Sequence, residues 1–414
     1  MDLSERCVYV SDSETSEESL LKIFQETIYL PPALFKFVDF QRVGVADLTL
    51  HDGKAPSWLT RRMIRLGSSI VKLIVDNYGC QEFLRRLSNP IWFQALSCVL
   101  AYDWDSSGTT TVLCGVLKTI LNRQDLGVKA VGGKGRLSKL SLNEIDELRR
   151  VYDFSEEESE RFKYASRMTA KIDNVAVQAG YRLYHHMMFI TEDGSWAVVQ
   201  QGMNPNFKTA RRFHWLSGSF KSFVVEPHSG IMGSMKHDSV LNTVARDSED
   251  FRKLAVDLVK DGTEKLRRTL LSLRVEGQET LSKWISGTSE TPIIKSYKVD
   301  PRAIDWNSLK KAYENAPNNY EELLAIRGVG PSTVRALALI SELVYGVEPS
   351  WKDPIKYTFA FGGKDGIPFP VKRREYDEAI GFLEDAISKA NIGDKDKIEA
   401  LKRLKNYASK IQLV

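Results

Sequence analysis

A short glycine-rich turn near the C-terminal end is the part of the sequence that most clearly suits a chemical task. The segment Arg327-Gly328-Val329-Gly330-Pro331 sets two glycines around a valine, directly before a stretch with helical periodicity. Glycine permits backbone conformations and close approaches that other residues resist, and proline suits the first position of a helix. The unpaired amides at such a helix start bind phosphate together with the helix dipole. The predicted contact residues are Arg327, Gly328, Val329, Gly330, Ser332, Thr333 and Arg335.

A second basic region lies between residues 201 and 222, where lysines and arginines alternate with aromatic residues and no acidic residue occurs. Basic side chains beside aromatic rings suit a groove that follows a nucleic-acid backbone and stacks on bases. We therefore add Lys208 and Arg212 to the predicted DNA contacts. The alternative is a sheet whose aromatic residues fill a core while the arginines remain solvated. A further acid-free stretch, residues 129–139, contains three glycines. It lacks the spacing of a Walker-type phosphate loop, so a flexible loop is the favoured interpretation and a phosphate cradle is the alternative.

Five of the six histidines lie between residues 185 and 237. Among them, His214 and His228 have charged neighbours in sequence that suit proton transfer at a phosphodiester. Carboxylate and carbonyl oxygens are the ligands that Mg²⁺ or Mn²⁺ prefers, so Asp173, Asp193 and Gln201 predict a divalent-metal site. The alternative for each histidine is a hydrogen-bonded structural role. The predicted catalytic residues are His214, His228, Asp193, Asp173, Gln201 and Arg211.

Another pair of carboxylates, Asp103 and Asp105, follows the apolar run 96–102. This order is similar to the strand and paired aspartates of haloacid-dehalogenase phosphatases. The alternative interpretation assigns the apolar run to a helix and the aspartates to the cap of the next one.

Length and composition limit the classes of protein that fit. The chain has 414 residues, which exceeds the roughly 250–300 residues that one hydrophobic core usually organises, so we expect two or three domains. Hydrophobic residues make up 43% and the net charge is only +4, so most of the chain is expected to fold and any nucleic-acid surface must be local. No apolar stretch is long enough to span a membrane, and the N-terminus lacks the pattern of a secretion signal. These features predict a soluble cytoplasmic protein.

The periodicity of the apolar residues divides the chain into segments. Three- and four-residue spacing predicts helices from 43 to about 170, and strand formers around Glu192-Asp193-Gly194 predict an antiparallel hairpin, with a third strand at 220–225. A helix from 249 to 273 and a linker at 287–292 follow. We predict a mainly helical α+β protein with a small central antiparallel sheet and a C-terminal helical domain. The predicted domains are an N-terminal extension (1–40), a helical domain (41–170), an α+β domain (171–285) and the C-terminal domain (300–414).

The glycine turn and its flanking helices resemble the helix-hairpin-helix of DNA repair glycosylases, junction-binding proteins and structure-specific nucleases. In the glycosylases a lysine after the hairpin attacks the sugar and a later aspartate assists. Ser332 occupies the lysine position here, which argues against lyase chemistry, although Asp353 lies near the position of the aspartate. The segments 50–56, 198–204 and 357–368 resemble an archaeal and bacterial family, domain of unknown function 763, which implies no mechanism.

These observations lead to one hypothesis and its alternatives. The hypothesis is a DNA-binding protein of repair or recombination, in which the helix-hairpin-helix holds the phosphate backbone and a nuclease site lies in the central sheet. The alternative is a factor without catalytic activity that binds DNA and recruits other repair proteins. RNA in place of DNA fits phosphate-directed contacts equally well.

Overall fold

The elements that the sequence predicts can be compared with a computed structural model, which describes residues 55–101, 107–233, 236–272, 304–355, 357–358 and 373–412. The helices are α1 Ser57–Leu87, α2 Pro90–Val99, α3 Gly108–Arg123, α4 Ser141–Tyr152, α5 Glu156–Lys171, α6 Glu249–Lys260, α7 Thr263–Ser272, α8 Trp306–Asn315, α9 Tyr320–Ala325, α10 Pro331–Tyr345, α11 Arg373–Lys389 and α12 Asp394–Gln412. The strands are β1 Val128–Lys134, β2 Val177–Gln178, β3 Arg182–Thr191, β4 Trp196–Asn204, β5 Thr209–Leu216, β6 Gly230–Gly233, β7 Leu241–Asn242 and β8 Tyr357–Thr358. The mainly helical α+β prediction is confirmed.

The sheet has the order β1-β3-β4-β5-β6, with all neighbours antiparallel, and the short strand β8 is parallel to β6. Strands β3 and β4 form the predicted hairpin, in which Gly194 turns with a φ of 79°. The third strand was predicted at 220–225 but lies at 209–216. Arg211, Arg212 and His214 are all buried in it, so the strand carries too many polar residues for the usual strand pattern.

Strand β1 lies in the stretch that was interpreted as a loop, and that interpretation was wrong. Its glycines permit close pairing with β3: a Cβ atom on Gly132 would lie 2.3 Å from the carbonyl oxygen of His186. The residues that suggested a break in the chain therefore allow two backbones to approach each other.

Each face of the sheet packs against its own hydrophobic core. One core joins the sheet to α1, α2 and α3 and to the C-terminal helices α11 and α12. The other joins it to α4–α10, including the helices on either side of the glycine turn. The predicted long helix at 249–273 is divided into α6 and α7 at Gly262, whose φ is 104°.

Every described residue belongs to one compact unit, Arg42–Val414. The predicted domain border at 170 falls in the last turn of α5, whereas the linker at 287–292 and the border at 285 lie outside the described residues. Within the described ranges, no helix combines the length and the apolar character that a membrane crossing requires.

Candidate functional site

The glycine turn joins a short helix to a longer one, as the sequence predicts. Asn319 caps α9 by accepting a hydrogen bond from the Glu322 amide at 2.9 Å. The chain then turns through residues 326–330, and α10 begins at Pro331. Gly330 is the residue before the helix and supplies no capping side chain. Among the described residues, the first amides of α10 therefore have neither an intrahelical partner nor a side-chain cap, which leaves a positive helix end.

Gly328 has a conformation and a neighbourhood that only glycine fits. Its φ is 97°, and a Cβ atom there would lie 1.9 Å from Ser308 Oγ and 2.6 Å from Asp305 Oδ2. The turn thus packs against the start of α8. The Asp305 carboxylate accepts hydrogen bonds from the amide and the hydroxyl of Ser308, at 3.0 and 2.6 Å. One side of the turn is therefore closed by an acidic helix cap.

Basic side chains also lie beside the turn. Arg327 and Gly328 are exposed, and Ser332 and Arg335 are half-buried. Arg335 donates to Ser332 Oγ at 3.1 Å and to Gln178 Oε1 at 2.6 Å. Lys171, at the end of α5, donates to the carbonyl oxygen of Ile326 at 3.2 Å. Burial lowers the pKa values of Lys171 and Arg335.

Of the predicted contact residues in the turn, two have side chains that face inward. Val329 is fully buried in the second core, and Thr333 is 1% exposed. The groups that remain available to a ligand are the Arg327 side chain, the Ser332 hydroxyl and the main-chain nitrogens around Gly330. We call this surface, formed by Arg327, Gly330, Ser332 and Arg335 with Lys171, the hairpin surface.

A buried carboxylate, Asp173, organises the polar groups inside the second core. Asp173 lies in a π-helical turn, a form that is frequent at functional sites. It accepts hydrogen bonds from Gln200 Nε2 at 2.6 Å, from Trp215 Nε1 at 3.0 Å and from His228 Nε2. Burial raises the pKa of Asp173, and the His228 ring and the other donors oppose that shift. Two predicted catalytic residues, Asp173 and His228, therefore meet.

The chain of hydrogen bonds continues from Gln200 to a serine. His186 Nδ1 and Gln200 Oε1 are 2.8 Å apart, and because a carbonyl oxygen only accepts, this nitrogen carries the proton. His186 Nε2 can then accept from the Ser166 hydroxyl, also at 2.8 Å. Burial lowers the pKa of His186. This is the hydroxyl-to-imidazole arrangement of activated nucleophiles, yet Ser166 is only 3% exposed, so it lies in the core of the described structure.

Arg211 and Arg212 lie on opposite faces of the sheet and have different partners. Arg211 donates two hydrogen bonds to Asp353, at 2.9 and 2.7 Å, with both side chains fully buried. Arg212 donates to Gln94 Oε1 at 3.1 Å and lies over the Phe93 ring, and within the described part of the chain it forms no salt bridge. Burial lowers the pKa of Arg212 to about 9.

The remaining predicted site residues lie apart from the Asp173 centre. Gln201 points to the first core, where it is hydrogen-bonded to Thr110, and His214 Nδ1 donates to the Leu87 carbonyl oxygen at 2.9 Å. Asp193 lies in the β3–β4 turn, where it accepts from the Ser195 amide at 3.0 Å. Gln201 lies five residues beyond the start of β4, roughly 17 Å of extended strand from Trp196, so it is distant from this turn.

Lys208 and Arg212, the two DNA contacts predicted outside the turn, have different environments. Lys208 is exposed in the β4–β5 turn, whereas Arg212 is fully buried. Asp103 and Asp105 lie outside the described residues. Over the described ranges, no group of three or more histidine, cysteine or acidic side chains is arranged to hold a metal ion. The predicted Mg²⁺ or Mn²⁺ therefore remains a prediction from sequence.

Sequence reasoning missed several residues that shape these sites. Lys171 and Asp305 are distant in sequence from the turn that they border, and Gln200 and Ser166 lie on different elements from the His186 that they contact. One signal was present: β4 places Gln200 and Gln201 side by side directly after four apolar residues, in a strand that is almost entirely buried. Buried amides in such a strand require polar partners on both faces.

The fold and the site define a mainly helical α+β protein with a central antiparallel sheet, a buried polar centre and an exposed glycine turn at a helix start. A family model described as "Protein of unknown function (DUF763)" matches residues 44–371. The chain belongs to this family. No curated protein and no solved structure matches it.

Proposed function

We propose that this protein binds the phosphate backbone of DNA, without reading its sequence, in DNA repair or recombination. The observation that carries the proposal is the uncapped start of α10, which lies beside the exposed Arg327. Amides at a helix start, a serine hydroxyl and arginine side chains are the groups that typically contact phosphates. In this proposal the two helices and their glycine turn act as a helix-hairpin-helix.

The surroundings of the turn support a definite direction of approach. The Asp305 carboxylate lies against Gly328, whereas Arg335 contacts Ser332 and Lys171 contacts the Ile326 carbonyl oxygen. A phosphate is therefore expected at Gly330 and Ser332, away from the Asp305 carboxylate. Because α10 has 15 residues, its dipole reinforces that preference at the first turn.

Nuclease activity stays a prediction from sequence. Asp173 and His228 form a buried pair, but Asp193, Gln201 and Arg211 lie elsewhere, so the predicted catalytic set does not form one site. Binding is what the geometry supports best. The contacts of the hairpin surface suit a role in which the protein holds DNA for other repair proteins, and they do not distinguish a deoxyribose strand from a ribose strand.

Gly330 offers a clean test, because a side chain fits there. Its φ of −119° is open to any residue, and a Cβ atom would meet only the Gly328 carbonyl oxygen, at 3.7 Å. We expect Gly330→Glu to weaken duplex DNA binding by roughly tenfold or more at low salt, since a carboxylate would occupy the phosphate position. The measurement is fluorescence anisotropy with a labelled duplex over a series of salt concentrations.

Gly330→Ala is the matched control, since it adds the Cβ atom without the charge and should bind as the wild type does. Unchanged melting temperatures would show that both variants are folded. A Gly330→Glu protein with wild-type affinity, or a wild type that binds no DNA at low salt, would overturn the proposal. Competition with an RNA duplex of the same length decides between the two polymers.

A further inference from the structure

An open groove with aromatic walls lies on the same face of the sheet as the hairpin surface. Its volume is about 590 Å³, and its lining is mostly apolar. The aromatic residues that line it are Tyr164, Trp196, Phe220 and Phe223. Trp196 and Phe223 lie nearly parallel, with an angle of 7° between their rings, and Phe220 meets both of them at an angle. We call this the aromatic groove.

The aromatic groove and the hairpin surface share two helices. In α9, the Glu321 carboxylate accepts hydrogen bonds from Tyr164 Oη at 2.9 Å and from the Phe223 amide at 3.2 Å. The same helix leads six residues later to Arg327. Helix α5 contributes Tyr164 to the groove and Lys171 to the turn, and these two residues are about 10 Å apart along a helix.

The charges of α5 change sign along its length. Its acidic residues, Glu156, Glu157, Glu158 and Glu160, all lie in the first five positions. From Arg161 onward the helix carries only basic charges. The groove lies where the sign changes: Glu157 and Glu160 line it together with Arg161 and Arg167, and Arg167 Nη2 is 3.8 Å from Glu160 Oε2. The groove wall is therefore balanced in charge, and the basic end of α5 lies towards the turn, at Lys171.

We propose that the aromatic groove holds an unpaired nucleobase of a strand whose phosphates contact the hairpin surface. This inference rests on the proposed function and adds its substrate class, which is nucleic acid with single-stranded or extruded nucleotides. Aromatic rings give a stacking surface that accepts any base, and the basic groups of the hairpin surface hold the backbone. A fully paired duplex hides its bases and cannot use the groove in this way.

The test compares two single strands that carry the same phosphates. One is a short oligodeoxythymidylate, and the other has the same length with every base removed and the sugar kept. We expect the full-length wild-type protein to bind the base-bearing strand about tenfold more tightly, by anisotropy at constant salt. Equal affinities for the two strands would overturn the inference, even if both strands and a duplex bind.

A double variant tests whether the tighter binding of the base-bearing strand depends on the aromatic groove. Phe220→Leu with Phe223→Leu removes two rings and keeps apolar side chains, and it should erase the preference for the base-bearing strand while duplex binding is unchanged. If the variant fails to fold, the comparison of the two strands with the wild type still tests the inference.

If none of the three probes binds, the proposed function itself is contradicted. A dimer that the double variant abolishes, together with equal strand affinities, would assign the groove to a second copy of this chain and overturn the inference.

Discussion

The hairpin surface and strand β5 contain similar residue types and have opposite environments. Both contain arginines, and the sequence predicts DNA contacts in both. In the structure Arg327 is exposed at an uncapped helix start, whereas Arg211 and Arg212 are fully buried. Clustering of basic residues therefore says little about ligand binding until burial is known. In the proposed function the first region contacts the ligand directly, and the second region is part of the interior.

The difference between the two regions follows from the directions in which their side chains point. In β5 successive side chains point to opposite faces, and both faces of this sheet are covered by helices, so neighbouring arginines enter two separate cores. The turn at 326–330 belongs to no sheet: its two apolar residues, Val329 and the partly buried Ile326, pack against the second core, while Arg327 and Gly328 are exposed. Variants in β5 should hence change stability, and variants at the turn should change binding.

The largest effect is expected at the buried pair of Arg211 and Asp353. Arg211→Met should reduce the free energy of unfolding by about 3–5 kcal/mol, because it leaves the Asp353 carboxylate buried without its cation. Urea denaturation followed by fluorescence measures this free energy. Arg212→Met is the matched control: it removes a buried cation that has no carboxylate partner in the described residues, and it should cost less than half as much. Equal losses in the two variants would contradict the account of β5.

A smaller effect concerns His185, whose two ring nitrogens have no hydrogen-bond partner among the described residues. Burial lowers the pKa of His185 to about 3, so the unfolded chain takes up its proton first as the pH falls. The stability from the neutral ring is complete above about pH 6.5 and is lost progressively between pH 6.5 and 3. Between pH 7 and pH 5, the free energy of unfolding of the wild type should therefore fall by about 2 kcal/mol more than that of His185→Phe. Parallel pH profiles of unfolding free energy for the two proteins would refute this.

Much of the fold could be predicted from local patterns. The hairpin of β3 and β4 follows from strand formers around a glycine turn, and α9 and α10 follow from their cap, their glycines and Pro331. Strand β1 could not be predicted in the same way, because Gly132 serves a contact with His186 that is far away in sequence. Local signals describe an element, whereas pairing between strands depends on the whole chain.

The candidate sites could be predicted only in part for the same reason. The residues of the turn itself were identified, but Lys171, which borders it, and Asp305, which closes one side, come from other helices. The pairing of Asp173 with His228 joins residues 55 positions apart, and nothing in their spacing requires it. A site whose residues meet only through tertiary contacts can therefore be identified only from the folded structure.

The salt dependence of DNA binding tests the central claim most directly. The logarithm of the association constant should fall linearly with the logarithm of the salt concentration, because phosphate contacts release counterions. We expect Arg327→Gln to make that slope shallower by about one unit, since one contact is lost, while Lys72→Gln on the other face of the sheet leaves it unchanged. Identical slopes and affinities for the wild type and Arg327→Gln would contradict a phosphate contact at this turn.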